Sequence, residues 1–151
     1  MSKLKMRDGD WAIVLDGSKA LFLQNRGDKV HPDLVAREVR QHADPPNREL
    51  HTDRPGKVQQ SATSSHSAIE LTDRHDEAKR VFIAEIADAL DRLAASDKSC
   101  RFVVIAPPPA LGVIRKCYTP AVRSALGAEI DHDWVHLPVH EIERRLVDWS
   151  D

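Results

Sequence analysis

The run Arg101–Ala106 (RFVVIA) is apolar at both odd and even positions after its first residue, and Pro107, Pro108 and Pro109 follow at once. Successive strand residues point to opposite faces, so a strand with this pattern needs apolar cover on both sides of its sheet. Proline cannot donate to a ladder, so the triplet ends the strand. A chain of 151 residues has room for one such domain. The reading is therefore a single domain over 1–151, with helices on both faces of a sheet.

The remaining segments fit that plan. WAIVLDG (Trp11 to Gly17) closes on Asp-Gly, a short-range hairpin signal, and KALFLQN (Lys19 to Asn25) reads as its return strand. Asn25 to Asp28 makes the next turn, and part of Val30 to Gln41 forms a third strand. Ala78, Phe82, Ile86, Ala89 and Leu93 recur at helical spacing, which predicts an amphipathic helix from about Thr72 to Ala94. ALGVIRKCY reads as a short helix, Thr119-Pro120 opens another that Gly127 ends, and AEID is a short strand. VHEIERRLVDW closes the chain as a helix with Ile142, Leu146 and Trp149 on one side. An antiparallel meander followed by strand–helix crossovers gives an α/β domain with a mixed sheet of about five strands.

Between them, residues 43–67 carry Pro45, Pro46, Pro55, Gly56 and a Ser/Thr cluster, and read as a long loop. Composition bounds the partners. Lys and Arg number 22 against 24 Asp and Glu, a net of −2, without the basic excess of a general nucleic-acid or membrane-surface binder. Cys100 and Cys117 are too few for a disulfide framework, and their free thiols point to a reduced compartment. With no apolar leader at the N-terminus, and a longest apolar stretch of Phe102 to Ile114 broken by proline, the expectation is a cytoplasmic protein without a membrane partner.

Residue pattern bears on several chemistries. His132, His136 and His140 stand at i, i+4 and i+8, but Pro138 breaks the helix that would align them, and no cysteine or HExxH accompanies them. His66 and His75 flank the start of the long helix, where Asp73, Asp76 and Glu77 complement the helix dipole. The patterns GxSxG, GxGxxG and GxxxxGK[ST] are absent. Cys117 beside Lys116 is an idle thiol or a modestly activated one. The reading assigns no catalytic residue, metal or cofactor. Arg54-Pro55-Gly56-Lys57 followed by Gln59-Gln60-Ser61 puts two cations and two amides on one exposed stretch. Lys and Arg there suit phosphate, and Gln suits a water or an RNA edge; the alternative is a merely solvated loop.

Taken in order, several segments resemble the bacterial host-attachment proteins, those required for attachment to host cells. They are W-x-x-x-x-D-G at Trp11 to Gly17, Asp53-Arg54-x-Gly, the Ser/His-rich lead-in at His66, A-P-P-x-x-L-G-x-x-R over Ala106 to Arg115 with one extra proline, and H-L-P-x-H-E-I over His136 to Ile142. That family in turn is similar to the middle domain of eukaryotic and archaeal class-I translation release factors, where a P-G-K-H-x-x-G-G-Q-S loop promotes peptidyl-tRNA hydrolysis. Pro55, Gly56, Lys57, Gln60 and Ser61 match that loop in type. The two glycines before the glutamine are missing, and Gln59 stands where one would be, which closes backbone conformations that glycine allows.

The resemblance implies a ribonuclease-H-like three-layer fold. It also implies a non-catalytic binding protein associated with the ribosome or an RNA through Arg54, Lys57, Gln59 and Gln60, with His66 and Arg115 alongside, and an indirect role in attachment. The alternatives are a hydrolase of peptidyl-tRNA or a related ester using Gln60, and a module that binds a protein partner without RNA.

Overall fold

The computed structural model describes residues 5–42 and 64–149. One five-stranded sheet organises them, in the order β3-β2-β1-β4-β5. Strands β1 (Trp11–Leu15), β2 (Lys19–Asn25) and β3 (Leu34–Gln41) form the antiparallel meander. Strand β4 (Phe102–Ile105) lies parallel to β1, and β5 (Leu126–Ile130) lies parallel to β4. Helix α1 (Ser64–Ser96) precedes β4, α2 (Pro108–Arg115) and α3 (Pro120–Ala125) lie between β4 and β5, and α4 (Val139–Asp148) follows β5.

Alternation along the strands divides the interior in two. Ile13 and Leu15 of β1, Phe22 of β2 and Phe102 and Val104 of β4 pack with Ile83, Ile86 and Leu90 of α1 and with Leu111, Ile114 and Val122 of α2 and α3. Ala12, Val14, Leu23, Val103 and Ile105 face the other way, onto Trp134, Val135, Ile142 and Leu146. Every residue of β4 is buried, as its uninterrupted apolar run required. The three-layer α/β fold and mixed five-stranded sheet are those expected.

Four boundaries differ from the sequence reading. Helix α1 begins at Ser64, so 64–67 belong to a helix rather than to the loop, and Asp73, Asp76 and Glu77 stand well inside it instead of at its N-terminus. No Gly or Pro occurs between Gly56 and Pro107, so nothing in the backbone chemistry halts the helix, and serines are tolerated at its start. Helix α2 starts two residues early because Pro108 and Pro109 occupy first-turn positions whose N–H groups need no partner. It stops at Arg115, which leaves Cys117 in the turn that follows. Gly127 does not end a helix. It lies within β5 at the register shift between Phe102↔Leu126 and Val103↔Ala128, as glycine in a bulged strand often does.

One buried polar side chain joins three segments. Asn25 has no exposed surface; its Nδ2 donates to the carbonyls of Met6 (2.9 Å) and Arg7 (3.2 Å). Its Oδ1 accepts from the N–H groups of Gly27 (2.9 Å) and Asp33 (2.8 Å). Beside it, the buried Asp10 carboxylate accepts from Arg7 N and Arg101 N and pairs with the Arg7 guanidinium.

Candidate functional site

Strands β1 and β4 are parallel neighbours, yet the chain leaves β1 towards β2 and leaves β4 towards β5. Connections that part in this way open a crevice at the carboxyl ends of the strands, the usual ligand position in α/β sheets. Here a cleft of about 510 Å³ lies there, bounded by Asp16 and Ser18 after β1, Lys79 and Arg80 of α1, Pro107 after β4, and Asp133 after β5.

Asp16 is built into this edge by the hairpin. Its Oδ1 accepts from the N–H groups of Ser18 and Lys19, both at 2.8 Å, and from the Ser18 hydroxyl at 3.2 Å, while Asp16 N donates to Lys19 O. The turn is therefore held by a side chain and not by a left-handed glycine; among the described residues only Gly9 has a positive φ. Gly17 is needed for a different reason. A Cβ there would stand 2.7 Å from Cγ of Lys79, so the bare backbone lets the lysine stem lie against the strand end. Lys79 is thereby seated beside the cleft. The neighbouring Arg80 pairs with Glu77 at 3.0 Å.

Across the edge, the loop between β5 and α4 brings His136 Nε2 to 3.5 Å from Asp16 Oδ2. Asp16, Asp133 and His136 each offer a ligand-type atom, all within 4.8 Å of one another. The three spaced histidines are not gathered. His132 packs against Trp134 and Trp149, and His140 belongs to α4, which Pro138 caps.

The hollow at the opposite end of the sheet is larger, about 620 Å³, and is lined by Arg7, Lys98, Ser99, Cys100 and Arg101. Arg7 donates to Ser99 O at 2.7 Å and pairs with Asp10, and burial pushes the Cys100 thiol up from its ordinary range, with the nearby Asp97 and Asp10 charges acting in the same direction. The carboxyl-edge cleft, where the connections from the parallel strands part, is the better candidate.

Of the residues singled out by sequence, Arg54, Lys57, Gln59 and Gln60 lie outside the described residues. His66 stands in the first turn of α1. Arg115 ends α2, does not line the cleft, and donates from Nε to Glu129 Oε1 at 3.0 Å. Glu129 Oε2 also accepts from the Tyr118 hydroxyl at 2.8 Å; burial first, and this carboxylate second, raise the phenol well above its usual range. Arg115 thus serves an ion-paired network on β5. Sequence reasoning missed Asp16, Asp133, Lys79 and Arg80. For Asp133 a signal existed, because it follows closely on a predicted strand whose crossover favours parallel pairing; Asp16 was read only as part of a hairpin turn.

Among the described residues no helix is long and apolar enough to cross a membrane. No curated protein matches the chain. The family model described as protein required for attachment to host cells matches residues 11–146, which includes all five strands, the cleft and most of α4. The chain belongs to the host-attachment family.

Proposed function

We propose that this family member acts by binding, and that its ligand is an RNA phosphate backbone of the ribosome, with attachment to host cells an indirect consequence. The observation that carries the reading is the cleft at the carboxyl edge, with Lys79 seated against Gly17 and Arg80 beside it. Lysine and arginine at the mouth of such a crevice suit phosphate oxygens, which position a nucleic acid without reading its sequence. The chain leaves β3 at the same edge, where His42 N donates to Ser18 O, before the segment that carries Arg54, Lys57, Gln59 and Gln60. Those four residues are assigned to the same ligand on their chemistry alone, and their likeness to the release-factor loop supports a ribosomal partner.

Sucrose-gradient sedimentation of a lysate tests the proposal, with wild type, Lys79→Ala and Arg54→Ala/Lys57→Ala followed by antibody. Wild type moving with ribosomal particles and both variants shifted to the top supports it. Wild type remaining at the top overturns it and turns the search to protein partners.

A further inference from the structure

The same edge holds a feature that phosphate binding alone leaves unexplained. Three carboxylates line a cleft read as a seat for an anion and would repel it: Asp76 on α1, and Asp16 and Asp133, which stand beside His136. The structure assigns the last two a use: we propose that Asp16, Asp133 and His136 bind a first-row divalent cation, which bridges the protein to a ligand phosphate.

Three observations support the site. The groups come from two segments far apart in sequence, the β1–β2 turn and the β5–α4 loop, and converge within 4.8 Å. Asp16 is pre-oriented, since Oδ1 is held by Ser18 and Lys19 while Oδ2 faces His136. The Asp16 side chain is 19% exposed and that of His136 67%, so one ligand is fixed and another free to close the last ångström or two. Zinc-type bonds of about 2.0–2.2 Å require that closure. Two carboxylate oxygens with one imidazole suit Mn²⁺ or Zn²⁺ better than Ca²⁺, which prefers six or more oxygens. Three protein ligands leave coordination positions for water or a phosphate oxygen. The bridging role rests on the RNA reading above; binding of the cation does not.

The test is Mn²⁺ titration of the full chain followed by electron paramagnetic resonance, without RNA. One Mn²⁺ per chain is expected for wild type. Asp133→Asn and His136→Gln, both at exposed positions, should each weaken binding about tenfold or more, since even outer-sphere partners of a metal cost that much. Asp76→Asn, which removes a carboxylate of the same cleft outside the trio, should leave affinity within about twofold, as a charge at longer range is screened. Absence of stoichiometric binding, equal affinity in all variants, or equal weakening by Asp76→Asn would each overturn the site. Stoichiometric binding lost in Asp133→Asn supports it even where the protein fails to sediment with ribosomes, an outcome that overturns the RNA reading alone.

Discussion

Replacing Asn25 should be among the costliest single changes in this chain. The side chain is fully buried and satisfies two carbonyls and two N–H groups from three segments. At about 1 kcal/mol net per hydrogen bond, the four bonds make Asn25→Ala lose roughly 4 kcal/mol. For a domain of this size, that corresponds to a fall of roughly 8–16 °C in Tm. Asn25→Asp separates hydrogen bonding from volume. It keeps size and the acceptor towards Gly27 and Asp33, but turns an acceptor towards the Met6 and Arg7 carbonyls, so at neutral pH it should cost at least as much as alanine. Urea unfolding followed by tryptophan fluorescence measures both. An Asn25→Asp protein within about 1 kcal/mol of wild type would refute the assignment of stability to these four bonds.

Two further outcomes follow from the buried side chains. Tyr118 is the single tyrosine, so ultraviolet titration reports it alone. Its folded pKa is raised above the ordinary 10.0 by burial and by Glu129, so its contribution to stability is complete below about 10 and is lost as pH climbs through the folded value. Phenolate absorbance should appear together with alkaline unfolding, and Tyr118→Phe should remove that part of the alkaline instability; a phenol titrating near 10 in the folded protein would contradict this. Of the two free cysteines, Cys100 is buried and Cys117 half-buried. A thiol reagent should therefore modify one residue quickly in the native protein and the second only on unfolding, and mass mapping that finds Cys100 modified first would reverse the assignment.

The sequence disclosed some of these features and concealed others for identifiable reasons. Strand β4 was legible because double-sided burial demands an unbroken apolar run, and α4 because Ile142 and Leu146 fall on one stripe. The start of α1 was not, since the polarity of 64–71 resembles a loop while its backbone contains nothing that opposes a helix. Asn25 looked like a turn residue; its burial depends on Met6 and Arg7 folding over it from 18 or 19 positions away. The trio at the carboxyl edge was hidden more deeply. In the sequence His136 stands at helical spacing from two other histidines, while its neighbour in space is Asp16, 120 residues earlier. Convergence of that kind is set by strand order, which no local pattern contains.

Asp16 divides its carboxylate between two tasks, and this ties the evolution of the hairpin to that of the cleft. Oδ1 organises the turn from β1 to β2, while Oδ2 faces His136. Asparagine in its place retains an oxygen for the turn and offers the cleft an amide donor in place of an anion, so the hairpin survives and the charge does not. Alanine removes both. Drift at this position is thus asymmetric: the step that silences the cleft leaves the scaffold standing, whereas the step that loosens the scaffold always silences the cleft as well.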